Sequence, residues 1–183
     1  MNHSTIYADD DKEPVSLLLR LRMPSLLLGL VLGMGTSFLT SRFEEVIAAN
    51  VHTAFFIPFV VYIADAIGTQ TQTIYARDLK SGHAKFKAYL LKESALGLIL
   101  GLLFGASSFA IITLWLHDNL LAMSVGISVV CVIMTAPLIA LLVTRFLNDL
   151  HEDPAVGSGP IATVIQDAIS ILIYGSILSF FIL

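Results

Sequence analysis

The chain has 183 residues, of which 56% are hydrophobic and 13% charged, and its mean hydropathy is +0.85. Soluble domains carry about a quarter charged residues, so a soluble globular fold is excluded and an integral membrane protein is expected. Ten Lys and Arg against fourteen Asp and Glu give a net charge of −4, without the basic field a nucleic-acid binder uses, and no nucleic-acid partner is expected.

In chain order, residues 1–22 form a polar segment that carries Asp9, Asp10, Asp11, Lys12, Glu13 and Pro14. It has no signal-peptide pattern and is expected to be a flexible, acidic, cytoplasmic tail, which leaves 23–183 as one transmembrane domain. Five apolar segments follow, at Pro24–Thr40, Ala54–Ile74, Ala95–Trp115, Leu120–Phe146 and Pro160–Leu183. Each approaches the roughly 20 residues that a helix needs to cross a bilayer. The expected fold is therefore all-α, with five transmembrane helices per protomer, tight connections and no room for an extramembrane domain. Pro58, in the second segment, predicts a kink or a broken helix there. Glycines at 29, 33, 97, 101 and 105 recur every four residues within the first and third segments, the spacing that lets helices pack closely. Cys131 is the single cysteine and lies in an apolar run, so neither a disulfide framework nor a paired-cysteine metal site is expected.

The basic residues divide unevenly between the two faces. Lys12, Arg20 and Arg22, then Arg77, Lys80, Lys85, Lys87 and Lys92, then Arg145 fall on one side, and Arg42 alone on the other. The positive-inside rule predicts a cytoplasmic N-terminus, an external C-terminus and a location in the cell membrane.

Ionisable groups at membrane depth cost about 2.5–3.5 kcal/mol each at a helix centre on insertion scales and mark functional positions. Asp65 and Asp167 are the two best placed. In the last segment Thr163, Asp167, Ser170 and Tyr174 share one helical face, flanked by Gln166. In the second, Asp65, Thr69 and Gln72 follow the same spacing. No Lys or Arg lies deep inside a segment to neutralise either acid, so the two faces suit a passing cation; the alternative is that the acids, protonated or hydrogen-bonded, fix helix register. Oxygen donors favour Mg²⁺, Ca²⁺ or Mn²⁺. The histidines, at 3, 52, 83, 117 and 151, lie at or outside the segment ends. Glu44 and Glu45 suit either a charged interface or a cation-attracting external mouth. Glu93, beside Lys92, reads as an interfacial residue. Asp149, Glu152 and Asp153 read as a solvated loop.

Three motifs stand in order along the chain: Phe43-Glu44 with Ile47, Pro58 followed by Gly68-Thr69-Gln70, and Asp153-Pro154-Ala155 through Ser158 and Pro160 to Thr163 and Asp167. Together they resemble the transmembrane part of the MgtE-type Mg²⁺ transporters over residues 20–183. The resemblance implies a homodimer in the lipid bilayer, with a pore on its two-fold axis lined by the second and fifth helices. It further implies a hydrated Mg²⁺ held by Asp167 of each protomer and assisted at Thr163 and Gly159. The chain departs from the family at Gly159, where some members have Asn, and at Ala66, beside which Asp65 introduces an acid. Counterparts of the family's soluble N-terminal domain and paired CBS sensor domains are missing from the sequence, so gating by them is not expected.

The expected function is divalent-cation transport, of Mg²⁺ first and of Mn²⁺, Co²⁺ or Ca²⁺ as alternatives. Asp167, Thr163, Gly159 and Asp65 would meet the metal, and Thr69, Gln72, Gln166, Ser170, Tyr174 and Glu44 would line its path. Two other readings are an exporter coupled to H⁺ or Na⁺ and a non-transporting accessory subunit. An intramembrane lipid phosphotransferase would need further clustered acids for two metals, and after Arg77 only Asp78 is close; no enzyme is expected.

Overall fold

The computed structural model describes residues 12–149 and 154–183, with side chains outside 147–160. Among these residues the chain is helical in six elements: α1 (Val15–Ser41), α2 (Glu44–Ala49), α3 (Thr53–Lys80), α4 (Phe86–Leu116), α5 (Asn119–Asp149) and α6 (Pro154–Ile182). Five of them, α1 and α3 to α6, are long and apolar enough to cross a membrane. A bilayer offers the backbone no water, so each spanning segment must bond its own N–H and C=O groups, and the helix does this locally. The protein is a multi-pass membrane protein.

The helices outrun the apolar segments that announce them. α1 begins at Val15, so residues 15–22 of the segment read as a tail are wound into the first helix. Pro14 has φ −66° and ψ 147°, and its carbonyl accepts from Leu17 N at 2.9 Å and Leu18 N at 3.2 Å, which starts the helix there. α3 runs through Pro58 as one helix, so of the kink or break expected at that residue the break does not occur. Pro58 lies in the second turn, where loss of its N–H removes one bond close to an end that is already short of partners. The six-residue α2 is too short for any periodic signal in the sequence.

α5 is the central helix, packed against α3, α4 and α6. Leu121, Val125, Val129, Val132, Ile133 and Leu141 on it are fully buried. α4 meets it through the glycine series read from the sequence. A Cβ at Gly97 would lie 3.2 Å from the Ile133 carbonyl oxygen, at Gly101 3.0 Å from that of Val130, and at Gly105 2.8 Å from that of Gly126. On α1 the same spacing has no such use within the protomer: nothing lies within 4 Å of a Cβ built on Gly33, no α1 residue is buried, and α1 lies along α6.

Polar contacts fix the connections. Asp118 accepts from Leu121 N at 2.9 Å, capping the start of α5, and from Asn50 Nδ2 at 3.0 Å, tying the α2–α3 turn to the α4–α5 turn. At the opposite end of the bundle, Asp78 accepts from Tyr89 Oη at 2.5 Å and pairs with Arg77 at 3.1 Å. The Arg145 guanidinium stacks over Phe86 there, 4.6 Å from the ring centre.

Candidate functional site

α3, α5 and α6 converge on a small recess. α3 lines it with Asp65, Gly68, Thr69 and Gln72, one helical face at i, i+3, i+4 and i+7. α6 lines it with Ala162, Thr163 and Gln166, and α5 adds the apolar Ile139 and Ala140. The structure thus brings together residues 91 or more positions apart that the sequence marked separately. None of the lining residues is basic.

Gly68 makes the convergence possible. A Cβ there would lie 3.3 Å from Gln166 Oε1 and 3.6 Å from the Ala136 carbonyl oxygen. The space a side chain would use is occupied by the Gln166 amide. Gln166 is only 3% exposed, and neither its Oε1 nor its Nε2 has a hydrogen-bond partner. A buried polar group left unpaired costs about 1–3 kcal/mol, so this amide is costly to hold where it stands. Asp167, the next residue, is half-buried, and its Oδ1 is likewise without a partner. Asp167 is not among the residues that line the recess.

The Asp65 carboxylate, the hydroxyls of Thr69 and Thr163 and the amides of Gln72 and Gln166 make an oxygen-rich lining. Among the described residues no group of three His, Cys, Asp or Glu is arranged to hold a metal ion. An all-protein cage of the kind that strips and encloses an ion is therefore not built here. The donor set suits a hard cation that keeps several waters and touches the protein through one or two carboxylates.

The other residues marked in the sequence lie elsewhere. Ser170 is fully buried and its Oγ donates to the Gln166 carbonyl at 2.8 Å; Tyr174 is buried and its hydroxyl donates to the Thr53 carbonyl at 2.6 Å. Both face the protomer interior rather than the recess. Glu44 is exposed at the first turn of α2. Gly159 lies among the residues whose side chains and surroundings are not described, as do Asp149, Glu152 and Asp153.

Sequence reasoning missed several contacts. Gly68 carried no chemistry of its own, and only the approach of α6 reveals its role. Phe43 of the first motif packs its ring on Gly175, where a Cβ would come within 2.4 Å of it; this anchors the α1–α2 turn on α6. Glu93 is more than a neighbour of Lys92, since Thr71 Oγ1 donates to its Oε2 at 2.8 Å and links α3 to α4. Nothing in the sequence pairs residues 22 positions apart on different helices.

Residues 57–177 match the MgtE family, described as a divalent cation transporter. The magnesium transporter MgtE of Enterococcus faecalis is 33% identical over 163 residues, 87% of this chain and 36% of that protein. The magnesium transporter MgtE of Thermus thermophilus is 31% identical over 169 residues, 90% of this chain and 37% of that protein. That of Bacillus subtilis is 27% identical over 164 residues. The chain spans little more than a third of the length of these curated relatives.

Proposed function

The chain belongs to the MgtE family, and from that membership we propose that it carries a divalent cation, Mg²⁺, across the cell membrane. The observation that carries this reading is the recess between α3, α5 and α6, lined by Asp65 and by the partnerless buried amide of Gln166, with Asp167 the next residue on α6. Relatives over most of this chain are named magnesium transporters.

Asp167 is the central ion-binding residue in this proposal. Asp65 adds a second charge, Thr163 and the carbonyl at Gly159 supply neutral oxygens, and Thr69 and Gln72 line the approach. Two carboxylates that repel each other are relieved more by a divalent than by a monovalent ion. Mg²⁺ gives up its waters reluctantly, so it crosses with part of its shell retained. Mn²⁺, Co²⁺ and Ca²⁺ are the ions to compare.

A pore shared between two protomers follows the same logic. Thr69 is exposed, and Asp65 and Asp167 are half-exposed, so the acid-bearing flank of α3 and α6 is open to a second copy. A two-fold axis beside that flank doubles each acid without a second gene product. The excess of Lys and Arg from Arg77 to Lys92, at the end of α3, the start of α4 and between them, supports a cytoplasmic N-terminus.

The test is Mg²⁺ influx into liposomes carrying the purified chain, read by an enclosed indicator dye, with and without Asp167→Asn. Downhill influx abolished by the substitution supports the proposal. Absence of downhill influx, with flux appearing only under an imposed H⁺ or Na⁺ gradient, transfers the chain to coupled export. Absence of both leaves an accessory role.

A further inference from the structure

Within the recess one side chain has a position the proposed transport reaction does not yet explain. Gln166 is 3% exposed, lines the recess, and leaves both polar atoms of its amide without a partner. Glutamine is costly to hold in this way, and a hydrophobic residue of similar size would fill the same space between α3 and α6 at no polar cost. The amide is also seated closely. Its Oε1 lies where a Cβ on Gly68 would be 3.3 Å away, so the head group is backed by the bare α3 backbone. Its own carbonyl accepts from Ser170 Oγ at 2.8 Å, and Ser170 is fully buried.

We propose that Gln166 is a specificity-determining residue of the cation recess, its Oε1 accepting a hydrogen from a water that the passing ion retains. This rests on the transport reading above. The chemistry follows from what each group can offer. A cation's bound waters present only hydrogens outward, and carboxylates and an amide oxygen can accept them. Carboxylates accept from any direction and on a moving side chain. An amide wedged against backbone accepts at one fixed point, and so distinguishes shells by shape. Mg²⁺ holds its waters in a near-ideal octahedron at about 2.0–2.1 Å, whereas Ca²⁺ takes six to eight oxygens at about 2.3–2.6 Å in loose geometry. A fixed acceptor matches the first shell and meets the second poorly.

The experiment uses the full 183-residue chain in phosphatidylethanolamine–phosphatidylglycerol liposomes. Three readings are taken: Mg²⁺ influx, Ca²⁺ influx, and inhibition of Mg²⁺ influx by cobalt(III) hexaammine. The six ammines of that complex do not exchange and donate hydrogens as bound waters do. Gln166→Leu removes the amide and keeps the bulk. It should lower the Mg²⁺/Ca²⁺ influx ratio by about tenfold and weaken hexaammine inhibition by about tenfold, the loss of one well-aligned hydrogen bond. Gln166→Glu keeps an acceptor at the same place and should retain hexaammine inhibition. Gly68→Ala pushes the amide off its seat and should lower the influx ratio in the same direction as Gln166→Leu.

An influx ratio and an inhibition constant both within about twofold of the unaltered chain in Gln166→Leu would overturn the inference, leaving the amide a packing group. Where Gln166→Leu fails to yield a monodisperse protein, Gly68→Ala and Gln166→Glu decide by the same readings. An unaltered chain that neither moves a divalent ion nor binds hexaammine would remove the transport reading itself, and this inference with it. Flux with unchanged selectivity removes this inference alone.

Discussion

The seam between α4 and α5 and the recess between α3, α5 and α6 both depend on glycine, with opposite results. Along the seam, Gly97, Gly101 and Gly105 let the α5 backbone approach so closely that an added Cβ would meet carbonyl oxygens at 2.8–3.2 Å. The contact is close, and the atoms nearest those three positions are backbone or aliphatic. At the recess Gly68 gives up its space to a polar head group, the Gln166 amide, whose atoms then have no partner. A small residue therefore does not by itself predict a sealed interface. What occupies the vacated volume decides whether the contact holds helices together or keeps a polar group waiting at membrane depth.

The largest test of that contrast removes the charge beside Gln166 without touching the packing of the recess. Asp167→Asn is expected to reduce Mg²⁺ influx by at least about tenfold, as loss of a charge-assisted contact implies, while the thermal unfolding of the detergent-solubilised protein stays close to that of the unaltered chain. Unfolding that shifts strongly downward would instead make Asp167 a structural acid.

Next in size is an insertion into the seam. A Cβ at Gly105 would lie 2.5 Å from Val130 Cγ2 and 2.8 Å from the Gly126 carbonyl oxygen, so Gly105→Leu should destabilise by about 1–3 kcal/mol or more through overpacking. Denaturant titration in mixed micelles would read this. No measurable loss would show that α4 and α5 separate more easily than their close approach implies.

A smaller effect is expected where a buried hydroxyl ties two helices. Tyr174→Phe removes the 2.6 Å bond to the Thr53 carbonyl and should cost about 0.5–1.5 kcal/mol, with the Mg²⁺/Ca²⁺ influx ratio unmoved because Tyr174 lies inside the protomer. A changed ratio would return Tyr174 to the ion path.

The smallest expected effect is on α1. Nothing lies within 4 Å of a Cβ at Gly33, so Gly33→Ala should leave protomer stability level or raise it by roughly 0.5–1 kcal/mol through helix propensity. A clear loss of stability, or a shift in oligomer size by light scattering, would mean that this bare stripe packs against a second copy.

Much of the site was legible as helix faces. The i, i+4, i+7 spacing that grouped Asp65, Thr69 and Gln72 corresponds to a shared wall of the recess, and Thr163 and Gln166 meet them from α6. The same spacing also grouped Ser170 and Tyr174 with Asp167, but neither lines the recess. Both are buried and hydrogen-bonded within the protomer, one to α6 itself and the other to the first turn of α3. Periodicity assigns an angle around a helix axis. It carries no information about which neighbour covers that angle at each height, and toward the end of α6 the start of α3 covers it. Gly68 stood in a motif, but its packing role was hidden for a related reason: its importance lies in what another helix inserts beside it.

The spans, their number and the uneven distribution of basic residues followed from the sequence alone, because a lipid environment makes each segment satisfy its own backbone and so makes hydropathy a local property. The acids at depth were equally plain, since nothing else in the chain resembles them. Which polar groups would face one another, which would be spent on internal hydrogen bonds, and which would be left without partners was decided only by the tertiary structure. Those outcomes depend on helix approach at the scale of a single methyl group, and that approach is set jointly by residues on different helices.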